Sequence, residues 1–89
     1  MRIISQGGNA DLPYEEIVLC MACEDIIARH NDKEYLMARY STMDKAQKAM
    51  EMLREKYKDY AKATNKSNFF TMFDYPKVFQ FPQDEDVEV

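Results

Sequence analysis

Apolar and polar positions change period once along the chain, and that change divides it into two kinds of structure. From Thr42 to about Ala61 the apolar residues Met43, Ala46, Ala49, Met50, Leu53, Tyr57, Tyr60 and Ala61 recur at helical spacing and fall on one arc. Opposite them, Glu51/Arg54, Glu55/Lys58 and Asp59/Lys62 are acid-to-base pairs three residues apart. Ser41 with Asp44 three residues on resembles a capping box, with Asp in place of Glu or Gln. The pattern predicts one long amphipathic helix over about 42–61.

Before the helix the segments are short, and β-branched or aromatic. Arg2 to Gln6 reads as a strand ended by the turn Gly7-Gly8-Asn9. Asp11-Leu12-Pro13-Tyr14 reads as an extended piece that Pro13 bars from a central position in a sheet. Glu16 to Ala22 suits a strand, with a turn at Glu24-Asp25. Ile26–His30 and Tyr35–Tyr40 flank Asn31-Asp32-Lys33-Glu34 as a β-hairpin. A continuous helix over 15–40 is the competing reading, and the β-branched, aromatic and turn residues argue against it. After the helix, Phe69–Phe73 and Lys77–Phe81 read as extended segments around Pro76.

The expected fold class is therefore α+β: an antiparallel β-sheet of about four to six short strands, with the helix packed on one face. With 89 residues there is room for one core, and the domain is placed at 1–82. Residues 83–89 are read as a mobile acidic tail.

The net charge of −4 is unevenly spread: −3 over residues 1–40, +3 over 41–66 and −4 over 67–89. A chain of this sign has no general attraction for nucleic acid or anionic lipid. The bases of the helix are interleaved with acids, and the tyrosines lie on the apolar arc. That is a solvated face rather than a single-sign stripe, so nucleic acid is disfavoured as a partner. Met1 to Gln6 lacks the apolar core of a signal peptide, and no run reaches the ~18 apolar residues needed to span a bilayer. The expectation is a cytoplasmic protein without membrane contact.

Met1-Arg2-Ile3-Ile4-Ser5-Gln6, Asp11-Leu12-Pro13-Tyr14-Glu15, Ala38-Arg39-Tyr40-Ser41-Thr42, Lys48-Ala49-Met50-Glu51-Met52-Leu53-Arg54 and Phe79-Gln80-Phe81-Pro82 together resemble a group of small hypothetical proteins. These occur in Gram-positive bacteria, in prophages and other mobile elements. The resemblance spans most of the chain in order. It implies a mobile-element setting in a bacterial host and carries no functional residues with it.

Candidate chemistry is sparse. Cys20-Met21-Ala22-Cys23 has the spacing of a redox or zinc motif. However, it ends an apolar strand beside Glu24 and Asp25, whose charge opposes a thiolate. His30 is the sole histidine and the only further ligand of the usual type. The reading preferred for both cysteines is that of small apolar packing residues. Gly7-Gly8 is too short for a phosphate loop. No catalytic residue, metal ligand or cofactor is assigned, and the chain is read as not an enzyme.

Two features point to a partner. Met52 is the one apolar residue on the polar arc of the helix, and methionine makes adaptable contacts. Phe69, Phe70 and Phe73, with Met72, Tyr75, Phe79 and Phe81, give more aromatic surface than one face of a strand can bury. Met52, Phe69, Phe70 and Phe73 are accordingly the candidate contacts with a protein partner or a second copy. The leading expectation is a non-catalytic protein-interaction or self-associating accessory module of a bacterial mobile element. The alternatives are a nucleic-acid or regulator-binding protein using the basic helix, and a thiol-dependent or metal-binding protein using Cys20 and Cys23.

Overall fold

The helix and the segments around it take shape in a computed structural model that describes the backbone of residues 1–66 and 78–89, and the side chains of 1–61 and 78–89. In chain order the elements are β1 (Arg2–Ile4), β2 (Asp11–Pro13), a 3-10 turn (Tyr14–Glu16), β3 (Val18–Ala22), β4 (Asp25–His30), β5 (Lys33–Arg39), α1 (Met43–Lys66), β6 (Val78–Gln80) and a second 3-10 turn (Asp84–Asp86). The fold is α+β. Its strands form two three-stranded sheets, ordered β2-β1-β6 and β3-β4-β5, where one antiparallel sheet was expected.

The first sheet is mixed. β1 pairs antiparallel with β2 (Ile3 opposite Leu12) and parallel with β6 (Ile3 opposite Phe79). A parallel pair needs a long connection, and here most of the chain, including α1, lies between β1 and β6. Pro13 sits on the edge strand, as its missing N–H requires. The β1–β2 turn is organised by buried Ser5, whose Oγ accepts the N–H groups of Asn9 (3.2 Å) and Ala10 (3.1 Å). Gly8, at φ +80°, takes a left-handed conformation that a side chain would strain.

The second sheet is a meander. Its tight turns are Cys23-Glu24, one residue earlier than expected, and Asn31-Asp32. Asn31 (φ 52°) and Asp32 (φ 65°) both have positive φ, the requirement of a type I′ hairpin turn and one that Asn and Asp tolerate. β5 therefore begins at Lys33, two residues sooner than the sequence reading placed it. Between the pairs Ile27–Leu36 and Ile26–Ala38 the ladder carries a bulge at Met37, which turns adjacent Met37 and Ala38 both into the core.

The helix covers the inner face of this sheet. Ala46, Ala49 and Leu53 are fully buried in one cluster with Ile26, Ala28, Met37 and Ala38, and the cluster continues through Ile3, Leu12, Phe79 and Phe81 of the first sheet. The small Ala46 and Ala49 suit a helix lying close on the strands. Thr42, rather than Ser41, caps the helix, its Oγ1 accepting the Lys45 N–H at 3.2 Å. Met43, expected on the buried arc, is 51% exposed. Side chains of a first turn point back past the helix start, so the buried arc opens at Ala46.

The acidic segment after Pro82, read from sequence as a mobile tail, is anchored. Asp84 Oδ1 accepts the Ser41 N–H at 2.7 Å, and its Oδ2 lies 3.3 Å from Lys45 Nζ. Val87 is buried, and Gln83 Nε2 donates to the Gln6 carbonyl at 2.8 Å. The carboxylate at position 84 is thus set against the start of α1, where the helix dipole favours negative charge. Tyr40 donates its hydroxyl to the Pro82 carbonyl at 2.8 Å, and burial raises its pKa, with the charge of Asp84 adding to the effect.

Candidate functional site

Strand alternation in the second sheet sends one set of side chains to the helix and the other set outward. Leu19, Met21, Ile26, Ala28 and Ala38 face inward and join the core. In ladder register, three rows face out: Val18–Arg29–Glu34, then Cys20–Ile27–Leu36, then Ala22–Asp25–Arg39. The solvated face of an antiparallel sheet ordinarily carries polar residues. This one carries Val18 at 66% exposure, Leu36 at 48%, an exposed Cys20 and a half-buried Ile27. Among the described residues, no element covers it.

The apolar middle row is flanked on either side, along the strand direction, by a cross-strand ion pair. Arg29 Nη2 lies 2.7 Å from Glu34 Oε2. Arg39 holds Asp25 with two bonds, Nε to Oδ1 at 2.9 Å and Nη2 to Oδ2 at 3.1 Å. That bidentate geometry is the strong form of the pair. The hydrogen bond from Arg39 lowers the pKa of Asp25, and Arg29 and Arg39 are held in their charged form by their carboxylate partners. With ~4.8 Å between strands and ~3.3 Å per residue, the face measures about 15 Å on a side.

The β5 edge next to this face is half closed. The Gln6 N–H donates to the Met37 carbonyl at 2.7 Å, and the Gln6 Oε1 accepts the Arg39 N–H at 3.1 Å. This single residue ties the two sheets together and occupies the edge at positions 37–39, where an added strand would otherwise pair.

No family model, curated protein or solved structure matches the chain.

Both cysteines are exposed and free, which corrects the expectation that they pack as small apolar residues. Cys20 shares the outward face of β3 with Val18 and Ala22, and Cys23 lies in the β3–β4 turn at φ 57°. Among the described residues, no three His, Cys, Asp or Glu side chains stand together as a metal site. His30 is half-buried at the end of β4, paired with Lys33 across the turn.

Met52 is 36% exposed and lies in a shallow groove along α1 among Lys48, Glu51, Glu55, Lys56 and Asp59. Charges of both signs surround it. The bases expected to serve nucleic acid are partly engaged within the chain, Lys45 with Asp84 and Lys58 with Glu55 at 3.4 Å. Phe69, Phe70 and Phe73 lie outside the described residues. Phe79 and Phe81 of the same aromatic segment are buried, edge to face at 5.3 Å, and belong to the core. Among the described residues, no helix is long and apolar enough to cross a membrane.

The outward set Val18, Cys20, Ile27 and Leu36 was not singled out from sequence. Val18-Leu19-Cys20-Met21-Ala22 is apolar throughout, so its composition hides which residues face out. The usable signal was the Asn31-Asp32 turn. It pairs His30 with Lys33, and counting back along the ladder sets Ile27 opposite Leu36 before the bulge is reached.

Proposed function

We propose that this chain is a non-catalytic protein-interaction module, an accessory component of a bacterial mobile element, that makes its contact through the outer face of the second sheet. The observation that carries this reading is the outward apolar row Cys20–Ile27–Leu36, with Val18 beside it and an ion pair in the row on either side. Apolar centre and charged rim are the layout of a protein contact surface, and the hydrophobic effect disfavours leaving such a row in water. The Met52 groove is a weaker contact, because a ring of mixed charge must be desolvated to reach one side chain.

The test is a photo-crosslinking amino acid placed at Leu36 and, separately, at Glu51 on the outer side of α1, in protein expressed in a bacterial host. Adducts to protein at position 36 and not at position 51 are expected. Adducts at position 51 alone would move the contact to the helix and refute the reading.

A further inference from the structure

We infer that the occupant of this face is a second copy of the chain, packed face to face about a two-fold axis that lies between the sheets and runs perpendicular to the strands. The inference rests on the reading of this face as the contact surface, and adds the identity and orientation of the partner.

Charge decides the orientation. Arg29 and Glu34 mark one end of the face, and Asp25 and Arg39 the other, with each Arg–carboxylate pair spanning the same two strands. An axis perpendicular to the strands keeps each strand over its own counterpart and exchanges the two ends. Arg29 then lies over the partner's Asp25, and Glu34 over the partner's Arg39, so both ends become squares of alternating charge. Cys20, Ile27 and Leu36 lie on the axis and meet their own counterparts, which closes the apolar row. An axis parallel to the strands would instead set Arg29 over the partner's Arg29 and Asp25 over the partner's Asp25. Like charges so placed oppose association. The favoured arrangement is isologous and closed, so it stops at the dimer.

The size of the face sets the strength. About 15 Å on a side is far below the ~800 Å² per partner of a stable interface. The dimer is therefore weak and reversible, with a Kd on the order of 100 µM. Packed sheets lie ~10 Å apart, which separates the two Cys20 Cα atoms by more than the ~7 Å a disulfide can span. The two sulfurs, directed at each other across that gap, lie closer than the Cα atoms and so within the reach of a short bis-maleimide, about 8 Å.

Two variants test the orientation. In the first, Arg29→Glu is combined with Glu34→Arg; in the second, Asp25→Arg is combined with Arg39→Asp. Each keeps an ion pair of opposite charges within the chain but reverses one end of the face. Sedimentation of each alone is expected to show self-association weakened at least tenfold. An equimolar mixture recovers the dimer, because the reversed end of one variant then meets the reversed end of the other, and the two native ends meet each other. Wild-type-like dimers from either variant alone, or a mixture of folded variants that stays monomeric, would overturn the proposal.

A measurement on an otherwise native face guards against misfolded variants. Cys23→Ser protein treated with the bis-maleimide is expected to give a Cys20–Cys20 dimer, and Cys20→Ser protein none. Absence of any crosslink, with monomer alone at about 1 mM, refutes the second copy. In that case, protein adducts from position 36 to a different polypeptide would leave the interaction reading standing. The two failures are therefore distinguishable.

Discussion

Replacing Leu36 by Thr separates the two tasks the residue performs. Thr brings the β-branched character that strands favour while removing most of the apolar surface. Leu36 is 48% exposed, so about half of the ~1.5–3 kcal/mol gained by full burial of a leucine is already realised in the fold. That half, ~0.7–1.5 kcal/mol, is the expected loss of stability in urea unfolding below the dimerisation range. The other half becomes available on association, and the two-fold axis counts it twice. The dimer thus loses about 1.5–3 kcal/mol, or about tenfold to one-hundredfold in Kd. Sedimentation velocity from about 10 µM to 1 mM, a range set by the expected affinity, reads this directly. If association is unchanged while stability falls by more than ~2 kcal/mol, Leu36 belongs to the core, and the sheet face is not the contact.

Leu53→Ala provides the contrast: Leu53, on the sheet-facing side of α1, is fully buried, so about 2–5 kcal/mol should be lost in urea unfolding. Asp32→Gly should stabilise the fold by ~0.5–1 kcal/mol by the same assay, because Asp32 sits at φ 65°, where glycine carries no steric cost. Hydrogen bonding from the Ser41 backbone, with Lys45 adding, holds the Asp84 carboxyl below the usual aspartate range, and Arg39 does the same for Asp25. A lowered folded pKa contributes stability above the unfolded value of ~3.9. That stability is lost as pH falls through the folded pKa. Unfolding should therefore set in below about pH 4, and Asp84→Asn should flatten that limb and lower stability at pH 7. Both thiols are exposed, so a disulfide reagent should titrate two equivalents from the folded protein; a slow second equivalent would contradict the placement of Cys20 or Cys23.

The parts of the fold legible in the sequence were those with a local cause. The period of Ala46, Ala49, Leu53 and Tyr57 marks α1, and Asn31-Asp32 marks a hairpin because those residues accept positive φ. The split into two sheets was not legible. It depends on the parallel pairing of β1 with β6 across most of the chain, and nothing in three-residue strands encodes a distant partner. The anchoring of residues 83–87 escaped for a related reason. Acidic composition suggests a solvated tail, yet Asp84 accepts a backbone N–H just before the helix, and Val87 supplies an apolar residue to the core. The capping residue was displaced by one because Ser41 and Thr42 are equally good caps by type, and the Ser41 N–H is claimed by Asp84.

The candidate face was hidden by the same uniformity that leaves it apolar. An alternating strand declares its outer side through polar residues, and β3 has none among its five positions. The polar residues that frame the face come from β4 and β5, at positions 25, 29, 34 and 39, and they acquire meaning only in register. Asp25 and Arg39 are fourteen residues apart in sequence, and become cross-strand neighbours because the bulge at Met37 restores the phase of β5 beyond Leu36. Without the extra residue, Ala38 rather than Arg39 would occupy the outer position opposite Asp25, and that end of the face would carry an unpaired carboxylate. The bulge therefore serves both sides of the sheet. Inward, it seats Met37 and Ala38 together in the core; outward, it places the arginine that makes the two ends of the face complementary under two-fold rotation.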